Sequence, residues 1–512
     1  MDVKTLMSRA VRHNRHREAI IHGDRRLTFG EAWSRGNRLA NALLGLGLKP
    51  GDRVAVLEDN SIQAADFFNG AASANLVRVP MYPRNGRDAH VHMMTHTGCK
   101  ALVVSEKYRT EIAGIENEVP TLEHVIVRDA GYEDWLMRHS DAEPQVPVAP
   151  DDVFIIRHTG GTTGKSKAVA YTHRAWLAAG RDWFYIFPPV EPGDKCLHVG
   201  PISHGSGYQY LPLWLAGGCN VMVDHFDVET TTALIEREGI AYCQLVSTMV
   251  NAILPSPSAK ARDYSSLKCI LIGAGPISET TALRAHELFG DVLYQGYGTT
   301  EALPIAFMGP RQWFATVAGS TPLRACGMVL PFAEIEIWDE HNRPLPDGEI
   351  GEIVAKTDGQ MTAFWNNPEA TAEKLVNGWV KTGDIGRIDG NGYVYLIDRA
   401  NDIIISGGYN LWPNEIENAI SRHPDVIEVA VFGVPHEKWG ETPYAVCVVR
   451  EGATVTEDEI RELVASELGS YKKPSGVRLQ REPLPKSPVG KIRRKDLREP
   501  FWAGHARRVA GG

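Results

Sequence analysis

Short apolar runs alternate with amphipathic stretches through the first 300 residues. The run DRVAVLED (52–59) predicts a strand, and the helix-like SIQAADFFNGAASA (61–74) follows it. KALVVS, HVIVRD, CNVMVD, KCILIGAG and DVLYQGYG are further short apolar runs, and the last three end in glycines or polar residues that open into loops. This repetition predicts an α/β fold whose large N-terminal domain contains mostly parallel sheets. In such sheets, ligands bind beyond the carboxyl ends of the strands.

The pattern changes from about Arg324 onwards. FAEIEIWDEHNRPLPDGEIGEIVAK and GYVYLIDR alternate with period two around a Pro-Asp-Gly turn, which predicts a small antiparallel, β-barrel-like unit. After Arg399 come a short strand, the helix PNEIENAISR, two strands and the helix EDEIRELVASEL. We expect this stretch to form a small α+β C-terminal domain. The boundary is placed at Asn401, which divides the chain into residues 1–400 and 401–512.

Composition narrows the class of protein. At 512 residues the chain is longer than one hydrophobic core usually supports, so two or more domains are expected. The 54 basic and 63 acidic residues give a net charge of −9, which does not favour a nucleic-acid partner. Seven scattered cysteines without a Cys-x-x-Cys pair argue against a disulfide framework or structural zinc. Without a signal-peptide core or an apolar run of about 18 residues, a cytoplasmic enzyme with no transmembrane segment is expected.

The segment HTGGTTGKSKAV (158–169) indicates polyphosphate binding. It follows an apolar strand candidate (153–156) and precedes a helix-like stretch, so we expect a loop between a strand and a helix. Glycines let backbone N–H groups approach an anion, while threonines and lysines add donors and charge. The Walker pattern fails on count, because Thr159 stands where its first glycine belongs. Taken alone, the segment leaves a P-loop nucleotide enzyme and a plain glycine-rich turn open.

Three later segments share this chemical theme. GYGTTE (296–301) offers an aromatic ring, two hydroxyls and a carboxylate, which suit a base, a phosphate and a magnesium ion. TGD (382–384) adds a carboxylate for ribose hydroxyls, and Lys491 follows a glycine near the C-terminus. Each alone is equally well explained by a turn or, for Lys491, by a solvated cationic helix.

The order of these segments carries a family resemblance. HTGGTTGKSKAV, GYGTTE, GWVKTGD, IDRANDIIISGGYNLWPNEIE and PLPKSPVGKIRRKDLR follow one another over some 330 residues. In this the chain resembles the adenylate-forming superfamily of acyl-CoA synthetases, peptide-synthetase adenylation domains and luciferases, and is most similar to its fatty-acyl and aryl-CoA ligases. The resemblance implies an ATP-, magnesium- and coenzyme A-dependent acid:CoA ligase. Such an enzyme forms an acyl-adenylate with release of pyrophosphate, then a thioester with release of AMP.

The resemblance also implies roles for residues of the nucleotide site. Tyr297 and the Gly275-Pro276 turn would sandwich adenine, and Asp384 with Arg399 would hold the ribose. Thr300 would bind the α-phosphate, Glu301 the magnesium ion, and Lys491 would bridge the substrate carboxylate and the phosphate. The remaining members of the implied ATP site are Thr159, Gly160, Gly161, Thr162, Thr163, Gly164, Lys165, Lys167, Gly298 and Thr299.

The acyl pocket and the thiol channel are implied in the same way. His204 would stand at the mouth of the acyl pocket, and small residues after it favour a bulky or cyclic acid unless they serve a turn. Asn401 would be the hinge about which the C-terminal domain rotates. The implied pocket lining is Gly205, Gly207, Ser247, Thr248, Met249 and Gly273, and the implied pantetheine channel is Ser406, Gly407, Gly408 and Tyr409.

Four positions depart from the usual family pattern. Gly160 replaces a serine, Ser166 a proline and Ala168 a glycine, while Asn401 stands where Asp or Lys is common. Loss of the serine hydroxyl suggests a protein that is poor at adenylation and specialised for the thioester-forming half-reaction. An adenylating enzyme that loads a separate acyl-carrier protein, and a non-catalytic binder of acyl-nucleotides, are the alternatives. A homodimer is left open.

Overall fold

The computed structural model of this protein describes residues 1–83, 85–159, 166–273, 275, 277–399, 402–406, 409–486 and 492–503. Within these ranges the α-helices are α1 (Val3–Asn14), α2 (Phe29–Gly45), α3 (Ile62–Ala74), α4 (Arg87–Thr97), α5 (Tyr132–Met137), α6 (His173–Ile186), α7 (Gly207–Ala216), α8 (Val228–Glu238), α9 (Ser247–Ile253), α10 (Pro257–Lys260), α11 (Glu279–Phe289), α12 (Pro310–Trp313), α13 (Pro368–Lys374), α14 (Pro413–Ile420), α15 (Glu457–Leu468) and α16 (Arg494–Trp502).

The β-strands alternate with these helices over most of the chain. They are β1 (Glu18–His22), β2 (Arg25–Thr28), β3 (Arg53–Leu57), β4 (Val77–Pro80), β5 (Ala101–Ser105), β6 (His124–Arg128), β7 (Val153–His158), β8 (Ala168–Thr172), β9 (Lys195–His198), β10 (Cys219–Met222), β11 (Ile240–Leu245), β12 (Cys269–Ile272), β13 (Leu293–Thr299), β14 (Ala302–Met308), β15 (Gly327–Val329), β16 (Ala333–Trp338), β17 (Gly351–Thr357), β18 (Ala363–Phe364), β19 (Leu375–Val376), β20 (Trp379–Ile388), β21 (Tyr393–Arg399), β22 (Ile404–Ser406), β23 (Tyr409–Leu411), β24 (Val426–His436), β25 (Gly440–Val449) and β26 (Gly476–Gln480).

Two large sheets form the N-terminal part. In the seven-stranded sheet, of order β18-β8-β7-β4-β3-β5-β6, the strands from β7 to β6 are parallel, and β8 and β18 are antiparallel additions. In the fourteen-stranded sheet, β1, β10, β9, β11, β12 and β13 are parallel neighbours. The strands expected from the apolar runs are all present, and the prediction of mainly parallel α/β architecture is confirmed.

The antiparallel unit expected after Arg324 consists of β15, β16, β17, β20 and β21. Its strands pair antiparallel to one another, and β15 also pairs with β14. The unit therefore forms one end of the fourteen-stranded sheet. A cluster of buried residues that includes Ile337, Ile353 and Val394 fills its interior.

Helices α3 and α7 join the two sheets through one aromatic core. The Phe68 ring of α3 lies 6.0 Å from Phe154 of β7 and 4.3 Å from Tyr210 of α7, measured between ring centroids. All three side chains are fully buried. Burying an aromatic side chain contributes about 1.5–3 kcal/mol, so this shared core helps to hold the two sheets together.

The C-terminal part has its own sheet and core. Strands β23, β22, β25 and β24 are antiparallel neighbours, and β26 pairs parallel with β25. Ile416, Ile420, Ile460 and Val464 from α14 and α15 pack on this sheet. The strand–helix–strand–strand–helix order expected after Arg399 is confirmed, with β23 as an additional short strand.

All seven cysteines are buried free thiols, and four of them lie in neighbouring strands β10, β9, β11 and β12. Burial raises the pKa of Cys99, Cys219, Cys243, Cys326 and Cys447 to about 12, and it raises the pKa of Cys196 and Cys269 as well. Among the helices in the described part of the chain, none is both long and apolar enough to cross a membrane.

Candidate functional site

The segment HTGGTTGKSKAV connects two antiparallel strands. β7 ends at His158 and β8 begins at Ala168, which pair with each other, and only then does α6 begin. The expectation of a loop leading directly into a helix was therefore wrong, because Ala168–Thr172 is a fully buried strand too short for its pattern to show. At the neck of the loop, the Thr159 N–H donates to the Lys167 carbonyl over 2.9 Å, and the Lys167 N–H donates to Thr159 Oγ1 over 3.3 Å. The predicted residues Gly160, Gly161, Thr162, Thr163, Gly164 and Lys165 lie outside the described residues.

Both ends of this loop are held by side chains from one neighbouring segment. The Tyr82 hydroxyl donates to the His158 carbonyl over 2.6 Å, and His92 Nε2 of α4 donates to the Ser166 carbonyl over 3.2 Å. The His158 ring is buried, and its burial lowers the pKa of the imidazole to about 3, so it stays neutral. Sequence reasoning did not identify Tyr82 or His92, which lie more than seventy residues from the carbonyls they hold.

Two buried arginines lie on β7, the strand that enters the loop, and on its neighbour β4. The Arg157 guanidinium is 4.4 Å from the centre of the Tyr208 ring, and that of Arg78, on the adjacent strand β4, is 4.0 Å from the centre of the Phe68 ring. Burial lowers the pKa of Arg78 to about 9, which still leaves it charged at neutral pH. Among the described residues, neither arginine forms an ion pair. Their positive potential favours an anion at the strand ends.

The GYGTTE segment is hydrogen bonded directly to the strand that leaves the loop. The Tyr171 hydroxyl of β8 donates to the Thr300 carbonyl over 2.7 Å. The Met361 N–H donates to the Glu301 carbonyl over 2.7 Å. The segment around Met361 runs on into β18, which pairs with β8. Hydrogen bonds therefore connect the candidate magnesium ligand Glu301 to β8, the strand that follows the candidate phosphate loop.

The Glu301 side chain is buried, with 9% of the residue exposed, and the Lys374 ammonium group lies near its carboxylate. Its Oε1 lies 3.9 Å from Lys374 Nζ, which also donates to the Thr382 carbonyl over 3.0 Å. Mg²⁺ commonly takes one or two protein carboxylates and completes its shell with substrate phosphates and water, so a single carboxylate here fits the ion. The hydroxyl of Thr299 is buried without a hydrogen-bond partner among the described residues, as expected of a group that meets a ligand.

Two of the residues predicted to hold adenosine contact each other, although they are 87 positions apart in the sequence. The Tyr297 hydroxyl donates to Asp384 Oδ2 over 2.8 Å, and both side chains are buried. Burial raises the pKa of Tyr297, so its hydroxyl remains a donor. Arg399 stands opposite Asp384 in the β20–β21 ladder, while its side chain lies outside the described part of the structure. Gly275 follows β12, and Pro276 lies outside the described residues.

The predicted acyl-pocket residues lie at the ends of β9, β11 and β12. His204 packs against Tyr82, with ring centroids 5.3 Å apart. A Cβ atom on Gly207 would lie 2.0 Å from the Ile202 carbonyl oxygen, so close backbone approach explains this glycine without any need for pocket room. Gly205 and Gly273 face a side chain that sequence reasoning missed: Gln244 Nε2 would lie 3.4 and 3.9 Å from Cβ atoms added at these positions. Ser247, Thr248 and Met249 form the first turn of α9.

Of the residues predicted for the C-terminal domain, two are described. Ser406 and Tyr409 are a paired position at the β22–β23 turn, and the Tyr409 ring is exposed, with its centroid 5.8 Å from that of Tyr471. The others lie outside the described residues: Gly407, Gly408, the predicted hinge residue Asn401 and the predicted catalytic lysine Lys491.

Fold and site together match one family. Residues 7–365 match the profile described as AMP-binding enzyme, and residues 415–491 match the AMP-binding enzyme C-terminal domain. The chain therefore belongs to the AMP-binding enzyme family, whose CoA ligases use ATP and CoA.

Its relatives extend along the whole chain. A feruloyl-CoA synthase from an Amycolatopsis species is 33% identical over 499 residues, covering 96% of this chain and 98% of that protein. A fatty acid–acyl-carrier-protein ligase from Streptomyces coeruleorubidus is 31% identical over 519 residues, covering 99% and 98%. Among solved structures, ATP-bound MatB from Rhodopseudomonas palustris superposes with a TM-score of 0.88 at 27% identity, covering 98% of this chain and 99% of that one.

Proposed function

We propose that this protein is an AMP-forming acid:CoA ligase. One observation carries the proposal. The GYGTTE segment is hydrogen bonded on one side to the strand leaving the phosphate loop, through Tyr171 and Thr300, and on the other side to Asp384 through Tyr297. Segments that carry groups suited to bind phosphates, a magnesium ion and a nucleoside are therefore linked to one another by hydrogen bonds. The acid–CoA ligases among its relatives support the same conclusion.

In the first half-reaction, a carboxylate oxygen of the acid attacks the α-phosphorus of ATP. A new P–O bond forms, the bond to the β-phosphate oxygen breaks, and pyrophosphate leaves with the electron pair. Thr300 and the phosphate loop would donate to the phosphate oxygens, and Lys491 would neutralise charge between carboxylate and phosphate. Glu301 would hold Mg²⁺, which supplies charge neutralisation on the phosphates when bound. Asp384 and Tyr297 would fix the nucleoside.

In the second half-reaction, the sulfur of coenzyme A attacks the acyl carbon of the adenylate. A C–S bond forms, the C–O bond to AMP breaks with its electron pair leaving on the AMP phosphate, and the thiol proton passes to solvent. The turn between Ser406 and Tyr409 would line the channel for the thiol arm, after a rotation of residues 401–512 about Asn401 has withdrawn Lys491. The division of the chain into a large N-terminal domain, residues 1–400, and a mobile C-terminal domain, residues 401–512, is part of the proposal.

The test is a panel of linear, aryl, alicyclic and polycyclic acids incubated with ATP, Mg²⁺ and CoA. We expect at least one acid to give a CoA thioester by mass, with one AMP formed per thioester. Glu301→Gln should lower acid-dependent AMP formation by roughly 100-fold, because it removes a charge that acts at the transition state. Glu340→Gln, at a side chain with 87% exposure, is the matched control. Absence of AMP formation with every acid would overturn the proposal.

A second candidate function is loading of an acyl-carrier protein. It is favoured by the Streptomyces coeruleorubidus relative, which is a fatty acid–acyl-carrier-protein ligase and matches this chain from end to end. Parallel reactions with free CoA and with a phosphopantetheinylated carrier protein separate the two. Thioester on the carrier alone would replace the first candidate by the second.

A further inference from the structure

The segment between β9 and α7, residues 199–206, carries His204 and has little regular structure of its own. Its internal backbone bonds are turn bonds, such as the His204 N–H to the Pro201 carbonyl over 2.9 Å. A buried segment of this kind must satisfy its remaining backbone groups through side chains or water. We call residues 199–206 the His204 loop.

One side chain from the other sheet makes two hydrogen bonds to this loop and a third to the residue just before it. Asn60 follows β3 and immediately precedes the Ser61 N-cap of α3. Its Nδ2 donates to the His198 carbonyl over 2.9 Å and to the Gly200 carbonyl over 2.8 Å, and its Oδ1 accepts from the Ile202 N–H over 2.8 Å. The amide thus uses both donor hydrogens and its acceptor on backbone groups of residues 198–202. At 3% exposure, Asn60 meets little water that could replace these bonds.

At the far end of the loop, the side chain of Ser206 is held by the ring of His198. His198 Nδ1 and the Ser206 hydroxyl are 2.7 Å apart, and His198 Nε2 is 2.7 Å from Asn220 Oδ1. The His198 ring is fully buried. Residues 198–202 are thus held by Asn60 and Ser206 is held by His198, so both ends of the segment that carries His204 are fixed by buried polar side chains.

Because His204 is proposed to stand at the mouth of the acyl pocket, the hydrogen bonds that hold its loop should affect binding of the acid substrate. We propose that Asn60 is a positioning residue for the acid substrate, which acts by presetting the His204 loop. The inference rests on the proposed function. The three hydrogen bonds of Asn60 go to residues 198–202, and none goes to Tyr82, Tyr171 or Tyr297, which hold the ATP site. We therefore expect Asn60 to affect acid binding more than ATP binding, even though Tyr82 also packs against His204.

Asn37 provides a matched control. It has the same 3% exposure, donates to the Asp141 carbonyl over 3.1 Å and accepts from Ser73 Oγ over 2.7 Å, all away from the His204 loop. Asn60→Ala should raise the KM for the acid at least tenfold, the loss expected from one to two hydrogen bonds, and leave the KM for ATP within twofold. Asn37→Ala should lower the melting temperature without changing either KM. Asn60→Ser, which keeps one donor, replaces Asn60→Ala if that variant does not fold.

Equal changes in the two KM values, or an Asn60→Ala effect no larger than that of Asn37→Ala, would overturn the inference. Hydrogen exchange gives a readout that does not need turnover. Amides of residues 199–206 should exchange faster in Asn60→Ala than in Asn37→Ala. Unchanged exchange at these residues would also refute the claim that Asn60 holds the His204 loop. If wild type activates no acid while the exchange result holds, the proposed function fails and the tie between Asn60 and the loop stands.

Discussion

His92 offers the sharpest test of how the phosphate loop is held. Its Nε2 donates to the Ser166 carbonyl over 3.2 Å at the exit of the loop, while Tyr82 holds the entrance. His92→Ala removes one neutral hydrogen bond, worth about 0.5–1.5 kcal/mol net. If that energy serves to keep the loop in its ATP-binding form, the KM for ATP should rise by about 2- to 12-fold.

The assay is ATP–pyrophosphate exchange, with ATP varied at a saturating concentration of an accepted acid, and the acid then varied at saturating ATP. His124→Ala is the control, because its Nε2 donates to the Leu46 carbonyl over 3.0 Å at an exposed position remote from the loop. His92→Gln, which can restore a donor, should recover part of the loss. An unchanged KM for ATP in His92→Ala, or an equal rise in the KM for the acid, would refute the reasoning.

Two further predictions concern the loop and pH. Gly160→Ser should accelerate pyrophosphate exchange by restoring a hydroxyl donor to the leaving phosphates, and an exchange rate that is already fast in wild type and unchanged in the variant would contradict this. Burial lowers the pKa of His198 to about 4 from an unfolded value of about 6.5. The unfolded state therefore binds more protons in this range, and the free energy of unfolding should fall as pH drops from about 6.5 to about 4, measured by urea titration. His198→Gln should flatten that slope; a slope equal to that of wild type would exclude His198 as a source.

The sequence was most informative where short apolar runs were bounded by charged residues or glycines. β3, β10 and β12 follow directly from such runs, because burial on both faces of a strand favours uninterrupted apolar residues. The strand Ala168–Thr172 was missed, since five buried residues leading straight into a helix carry no period of their own. At Gly207 the sequence could not distinguish room for a bulky acid from a backbone constraint. The structure shows the constraint, because the Ile202 carbonyl approaches too closely for any side chain at this position.

The supporting side chains of the site could not be predicted. Asn60 bonds to carbonyls 138 and 140 residues away, and His92 to one 74 residues away. Nothing local distinguishes these residues from polar residues at any other loop or helix surface. They become recognisable only when the two sheets have packed and bring their strand ends together. Motifs report groups that touch ligands, whereas long-range packing decides which residues hold those groups.

The buried thiols have a practical consequence for measurement. With all seven cysteines inside the fold and their pKa values raised, the native protein offers almost no thiolate to alkylating or disulfide reagents at neutral pH. A chromogenic thiol reagent would therefore report the consumption of free coenzyme A with little background from the protein. A single cysteine introduced at exposed Tyr409 would likewise be the one site that a maleimide dye labels rapidly, giving a fluorescent probe of the C-terminal domain without a cysteine-free background.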